Sequence, residues 1–513
     1  MSLASILAET AARRPGAIAF VSGERRRTWR EATDDVARIA GGLLARGLAP
    51  GDRVAVLAGL SEAQVAFTCA LSWAGITVVP LNARLSHAEL VAIVRDAAVS
   101  AFAFDASTHE RVTAIAAEAS AGLLIDLDAP PRADAAQMHA SAEDALAAIL
   151  YTGGTTGTPK GVMISTGALA IQGALMREAL ALDGDVVFLH AMPIFHIAGC
   201  DQLYAAIGGG AVNVFRPGLD PAGIYEEIRL RGVTVFCGAP TLIAMVLASP
   251  SRDNALLERV TTFGYGAAPI SETLLTQALA AMPNAKFRQY YGLTETAGPV
   301  LSVPPEYHVT SGPKAGKLQS AGLPVPNATV RIVDADENDV PAGSAGELFV
   351  RSNSLTSGYW RDPAKTAQLF SGPWLRTGDI GVMDADGFVT IVDRSKDIIV
   401  SGGENVYSIE VENAIAAHPD VESCAVIGIP DPLWGEAVHA VVVPRAGRSL
   451  TAEAIVAHCR TQIAGYKCPK SVAFRSGALP LSGVGKVLKH ILRAEAVAAL
   501  ERSERRSEHA GKS

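Results

Sequence analysis

At 513 residues the chain is too long for one ordinary hydrophobic core, so two or more domains are expected. Hydrophobic residues make up 49% and charged residues 19%, which excludes long disorder, and a formal net charge of −8 excludes a general attraction to nucleic acid or anionic membrane. The six cysteines, Cys69, Cys200, Cys237, Cys424, Cys459 and Cys468, make no C-x-x-C pair and predict reduced, packed thiols in a cytoplasmic protein. No uninterrupted apolar run reaches spanning length, so no membrane span is expected, and the N-terminus lacks the basic segment of a secretory signal.

In chain order, Leu3, Ile6 and Leu7 fall at helical spacing, Ala17 to Phe20 reads as a strand, and a helix runs through Val36 to Leu44. Arg53 to Leu57, Ile76 to Val79 and Ala101 to Phe104 read as apolar strands, with helices Gln64 to Ala74 and Ser86 to Val94 between them. That alternation predicts a parallel sheet covered on both faces. A loop rich in Asp, Ala and Pro, Asp126 to Glu143, leads to a short buried strand, Ala147 to Tyr151. A second α/β unit follows, with strands Val186 to Leu189, Ala211 to Phe215 and Thr234 to Cys237. From about Val330 the pattern turns β-rich, with Thr329 to Val333, Gly346 to Val350 and Phe388 to Val392. The charged segment Asp393-Arg394-Ser395-Lys396-Asp397 reads as a hinge at residues 395–397, centred on Lys396, between an N-terminal domain of residues 1–394 and a smaller α+β domain of residues 398–500. In the latter, helices Ser408 to His418 and Ala452 to Ile463 flank strands Cys424 to Ile429 and Val438 to Val443, and a charged tail, residues 501–513, is expected to fray.

The strand at Ala147 to Tyr151 runs straight into Thr152-Gly153-Gly154-Thr155-Thr156-Gly157-Thr158-Pro159-Lys160-Gly161. Glycines let backbone N–H groups approach an anion, the threonines add hydroxyl donors, and Lys160 adds a full charge. The loop is not a Walker A motif, because Lys160 follows Pro159 and precedes Gly161 rather than Ser or Thr.

This stretch resembles the signature of the adenylate-forming superfamily of acyl-CoA synthetases, aryl-CoA ligases, luciferases and peptide-synthetase adenylation domains, with Gly153 where serine is usual. Further motifs in the same order extend the resemblance over nearly the whole chain. It implies an α/β fold, with a large N-terminal domain of layered α/β subdomains and a β-rich part, and a small, mobile C-terminal α+β domain. It also implies ATP, Mg²⁺ and CoA, and a carboxylic acid that is adenylated and then transferred to the CoA thiol. Residue by residue, Thr152, Gly153, Gly154, Thr155, Thr156, Gly157 and Lys160 would hold phosphate. Gly266, Ala267, Ala268, Tyr291 and Gly292 would form the adenine pocket, and Thr294 would approach the α-phosphate. Glu295, with Thr155, would help hold Mg²⁺. Asp379 and Arg394 would take the ribose and nucleotide, and His196 would wall the carboxylate pocket. Gly402, Gly403 and Glu404 would line the CoA tunnel, and Lys486 would meet the carboxylate and α-phosphate. Ser408 stands where the family usually has proline.

Read without the resemblance, these residues have ordinary explanations. Asp379 is a turn residue, Arg394 a surface salt-bridge partner, Thr294-Glu295 a helix-start cap, Gly266 to Ala268 plain packing, His196 a core histidine and Lys486 a solvated lysine. The acyl pocket falls at His196, Gly199, Cys200, Asp201, Ala239, Thr241, Tyr265 and Gly266, mostly small or apolar and without Arg or Lys. A second carboxylate would be unpaired there, which disfavours dicarboxylic acids and leaves aryl acids and medium-chain fatty acids. Rival readings are an adenylating enzyme that loads a carrier protein, a luciferase-like oxidative activity, and a non-catalytic protein that binds an adenylate. The oligomeric state, monomer or homodimer, is not readable.

Overall fold

The computed structural model describes residues 1–152, 159–216, 220–394, 397–401, 404–431, 434–481 and 487–510. The chain forms two compact units: Met1–Pro269, Thr276–Thr329 and Val350–Leu375 make the first, and Ile270–Leu275, Val330–Phe349 and Arg376–Ser513 the second. The class is mixed α/β, as expected.

Two sheets organise the first unit. In the six-stranded sheet the strands run in the order Leu123–Asp126, Ala101–Phe104, Arg53–Leu57, Thr77–Pro80, Leu146–Thr152 and Lys160–Ser165, parallel except for the last. Successive residues enter opposite cores: Val54, Val56, Ala101 and Ala103 pack into one, Ala55, Leu57, Phe102 and Phe104 into the other. This period of two, with both faces buried, is why these strands read as continuous apolar runs. In the nine-stranded sheet a parallel middle of Lys286–Leu293, Thr262–Gly266, Val235–Gly238, Val187–Leu189, Val212–Val214 and Ile18–Ser22 is flanked by antiparallel edges.

The long loop before the phosphate-loop strand is fastened to helix Trp29–Ala45. Ala133 and Ala136 donate backbone hydrogen bonds to Arg38 and Ala37. The approach is so close that a Cβ on Gly41 would lie 2.0 Å from the Asp134 carbonyl oxygen.

In the second unit, strands Ile399–Ser401, Glu404–Val406, Val421–Asp431, Gly435–Pro444 and Ser471–Phe474 form a five-stranded sheet. Val426, Val438, Ala440 and Val442 pack into one core with Val411, Ile415 and Ile455 from helices Ser408–Ala416 and Ala452–Arg460. Ala425, Ile427, Val441 and Val443 face the other way, against Leu492 of helix Lys489–Ala510. The β-rich stretch adds a further sheet in which Trp374–Met383 pairs antiparallel with Val389–Arg394.

Candidate functional site

The parallel strands Leu146–Thr152, Val235–Gly238, Thr262–Gly266 and Lys286–Leu293 all deliver candidate residues at or just beyond their carboxyl ends. That is where open α/β sheets bind ligands, because chain reversal there leaves a crevice lined by free loop backbone. Thr152 is the last residue of its strand and pairs with Lys160, the first of the antiparallel return strand. Gly153, Gly154, Thr155, Thr156 and Gly157 lie outside the described residues.

Thr294 and Glu295 sit in a hairpin turn between Lys286–Leu293 and Gly298–Val303, not at a helix start. The cap explanation gives way because Thr296 closes the turn instead: its hydroxyl accepts from Leu293 N at 2.8 Å and donates to the Gly298 carbonyl at 2.7 Å. The turn is tied down further by Thr356, whose N–H donates to the Glu295 carbonyl at 2.9 Å.

One residue that sequence reasoning missed links Lys160 to this turn. Lys160 Nζ lies 5.1 Å from the centroid of the Tyr359 ring, and the Tyr359 hydroxyl donates to Glu295 Oε1 at 2.9 Å. The aromatic face holds the cation while the hydroxyl aims the carboxylate. Burial, reinforced by Glu295, pushes the Tyr359 phenol well above its ordinary range, so it stays a donor. Its backbone is fixed by an antiparallel bridge to Val162 and by Tyr359 N donating to Thr366 Oγ1 at 2.9 Å. Tyr359→Phe keeps the ring over Lys160 but frees Glu295. The hydrogen bond is to a charged group, worth about 1.5 kcal/mol or more, so roughly tenfold lower turnover is expected, with a raised Mg²⁺ requirement and a slightly lowered melting temperature. Steady-state kinetics titrated with Mg²⁺ check this.

The adenine-pocket candidates owe their residue types to close approach. A Cβ on Gly266 would lie 2.3 Å from the Tyr290 carbonyl oxygen, and one on Gly292 would lie 2.1 Å from the Gly298 carbonyl oxygen. Ala267 sits at φ 67°, where a side chain is strained. Ala268 and Tyr291 are half-buried beside them.

Gly266, Ala267 and Gly292 also border a cavity of about 60 Å³ lined by His196, Asp201, Cys237, Gly238, Tyr265 and Tyr290, among others. His196 N-caps helix Ile197–Gly209, its Nδ1 accepting from Ala198 N at 3.2 Å, which places the remaining proton of a neutral ring on Nε2. The Tyr265 hydroxyl pairs with His308 Nε2 at 3.0 Å, and burial pushes His308 down to about 4. Tyr265 therefore offers the cavity its ring. Of the other acyl-pocket candidates, Cys200 borders a separate cavity of about 280 Å³, together with Leu203 and Tyr204 of the same helix. Gly199 packs against Pro193, where a Cβ would lie 2.2 Å from the carbonyl oxygen. Ala239 and Thr241 begin helix Pro240–Ala248 and do not line the cavity of His196; Cys237 and Gly238, just before them, do.

In the second unit Asp379 and Arg394 lie opposite one another on paired strands, and Arg394 Nε stands 3.1 Å from Asp379 Oδ1. Asp379 is buried and Arg394 is partly exposed, so the pair presents a carboxylate backed by a cation. Glu404 is exposed at the start of Glu404–Val406. Gly402, Gly403, Lys396 and Lys486 lie outside the described residues. Among the described residues no group of three or more His, Cys, Asp or Glu stands together. The oriented Glu295 carboxylate suits Mg²⁺, which needs one or two such ligands beside phosphate oxygens.

Residues 7–360 match the AMP-binding enzyme family, and residues 410–486 match its C-terminal domain. The chain is 37% identical over 481 residues to a feruloyl-CoA synthase of an Amycolatopsis species, covering 93% of this chain and 95% of that protein. It is 35% identical over 477 residues to the fatty acid–[acyl-carrier-protein] ligase ScoC of Streptomyces coeruleorubidus, covering 89% of each. ATP-bound MatB of Rhodopseudomonas palustris superimposes with a TM-score of 0.87 at 30% identity, over 96% of this chain and 99% of that one.

Proposed function

The chain belongs to the AMP-binding enzyme family, and from that premise we propose that it is an AMP-forming acid–CoA ligase acting on a small aryl monocarboxylic acid. It joins a carboxylate to ATP with release of pyrophosphate, then transfers the acyl group from AMP to the CoA thiol. The observation that carries this reading is the Lys160–Tyr359–Glu295 relay at the strand ends, in a chain akin over 93% of its length to a feruloyl-CoA synthase. Lys160 neutralises phosphate charge as the carboxylate attacks, Glu295 would hold Mg²⁺, which would offset further phosphate charge, and Asp379 accepts the ribose hydroxyls. A cavity of about 60 Å³ walled by the Tyr265 ring favours a compact acid over a long chain.

Among the described residues all six cysteines are free and no helix is long and apolar enough to cross a membrane. Both fit our placement of the enzyme in the cytoplasm. Likeness to a carrier-protein ligase makes the thiol acceptor worth testing directly. Pyrophosphate release should depend on an aryl acid, and CoA should be consumed in equal amount with AMP formed. Pyrophosphate release without CoA consumption would move the chain to the carrier-loading class. Lys160→Ala should weaken ATP use about ten- to a hundredfold, the value of a charge-assisted contact, while leaving the KM for CoA unchanged.

A further inference from the structure

Helix Ile197–Gly209 carries a carboxylate that the chemistry above does not use. Asp201 is 1% exposed, and its Oδ1 has no hydrogen-bond partner among the described residues. It lines the cavity of His196, and a Cβ built on Gly298, another lining residue, would come within 3.1 Å of Asp201 Oδ2. The same Cβ would stand 3.1 Å from Gln172 Oε1, a second buried acceptor without a donor. Gln172 cannot turn its amide round to help, because Nε2 is engaged with Ser354 Oγ at 2.8 Å and the Pro299 carbonyl at 3.2 Å. The Tyr290 hydroxyl, on a residue lining the same cavity, is also buried without a partner. A native interior rarely leaves three such atoms unsatisfied together, since each costs as much as a lost hydrogen bond. Asp201, Tyr290 and Gly298 line the cavity, and Gln172 Oε1 approaches it at Gly298.

We propose that Asp201, Tyr290 and Gln172 form a specificity site for a hydroxyl group at the far end of an aryl acid, so that the preferred substrate is a hydroxyaryl monocarboxylate. This rests on the acid–CoA ligase reading and narrows its substrate. A hydroxyl both donates and accepts, which answers an unpaired carboxyl oxygen and an unpaired phenol at once. An ether or ketone oxygen only accepts and would leave the Gln172 oxygen unmet, and an alkyl terminus would leave all three. Burial pushes the Asp201 carboxyl well above its ordinary range, which suits a neutral partner over a cationic one. Asp201 lies five residues into the helix from the His196 cap, about 7.5 Å along its axis. That is a depth suited to a hydroxyl across an aromatic ring from the reacting carboxylate.

The test measures kcat/KM for pyrophosphate release with paired acids: 4-hydroxybenzoate and benzoate, 4-hydroxycinnamate and cinnamate, and the methyl ether of each phenol. The wild-type enzyme should favour the free phenol at least about tenfold over its deoxy and ether partners, because a site built around a hydroxyl rejects analogues that lack it. Asp201→Ala should erase that ratio, and Asp201→Asn, which keeps an acceptor oxygen, should retain most of it. Equal use of phenol and deoxy acid by the wild-type enzyme, or an unchanged ratio in Asp201→Ala, would overturn the site, and neither reading depends on absolute rates. Should Asp201→Ala not fold, the wild-type melting temperature with ATP and each acid gives a second reading, raised more by the phenol than by its partners if the site is real. No pyrophosphate with any acid would instead overturn the ligase reading beneath it.

Discussion

Lys486→Ala should nearly abolish pyrophosphate release from acid and ATP, yet convert chemically supplied acyl-adenylate and CoA to thioester at close to the normal rate. We propose that the ammonium is needed while a carboxylate oxygen attacks the α-phosphate, when negative charge crowds onto one phosphorus. A preorganised donor at such a point is worth about 10²–10³ in rate, and a full charge more. Once acyl-AMP exists that crowding is gone, and on our proposal thioester formation draws on the segment around Gly402, Gly403 and Glu404. Single-turnover measurements of the two half-reactions separate these outcomes. Equal loss of both in a folded variant would remove Lys486 from the adenylation step.

The sheets were legible because their strands announce themselves twice over. Val54 to Leu57 and Ala101 to Phe104 are buried on both faces, so these residues are apolar or small, and the boundaries read from sequence, Arg53–Leu57 and Ala101–Phe104, coincide with those observed. Arg25–Thr28 escaped notice for the opposite reason. It is an edge strand of three arginines and a threonine, paired on one side, and charge on an edge guards against unwanted pairing. Taken without its neighbours, Thr294-Glu295 resembles a helix-start cap, because a threonine ahead of a glutamate looks alike in a cap and in a tight turn. What decides it is Thr296 bonding Leu293 and Gly298, a contact set by the hairpin register.

The site was legible as motifs and opaque as a network. Lys160 and Glu295 were found by the company they keep in sequence, whereas Tyr359 acts across 64 residues from Glu295 and has no local signature. The apolar company of His196 suggested a core histidine, and its role as a helix cap follows only from the backbone around it. Asp201 is readable as one polar residue of the acyl pocket, but the unpaired state of its Oδ1 among the described residues is a fact of three dimensions. Ser408, noted only as a departure from the usual proline, turns out to donate its N–H to the buried carboxylate of Asp393. Proline has no N–H to give.

That serine belongs to a buried ion network, and breaking it should be the most destabilising single change in the second unit. Lys489 Nζ lies 2.8 Å from Glu412 Oε1 and donates to Ser408 Oγ at 2.6 Å, while Ser408 Oγ donates to Asp393 Oδ1 at 3.0 Å. Glu412 Oε1 also accepts from Val426 N at 2.8 Å. Burial works against the charge on Lys489, but Glu412 and Asp393 together outweigh it and hold its pKa above the ordinary lysine value. Lys489→Met removes the cation of this cluster while leaving two carboxylates unpaired. Removing one partner of a fully buried pair costs about 3–5 kcal/mol, and this pair, with each side chain about one-fifth exposed, should cost somewhat less. The double variant Lys489→Met, Glu412→Leu should recover part of that, because it removes the Glu412 charge with the cation and leaves Asp393 to the N–H groups of Arg394 and Ser408. Urea denaturation of the single and double variants checks the order. Leu481 bridges Val487, and Leu488 N donates to the Pro480 carbonyl at 2.8 Å, so the chain on both sides of residues 482–486 is pinned just where Lys489 is anchored. Lys489→Met should therefore also slow adenylation at temperatures where the variant remains folded. A variant that loses stability but adenylates at the wild-type rate would confine the network to a structural role.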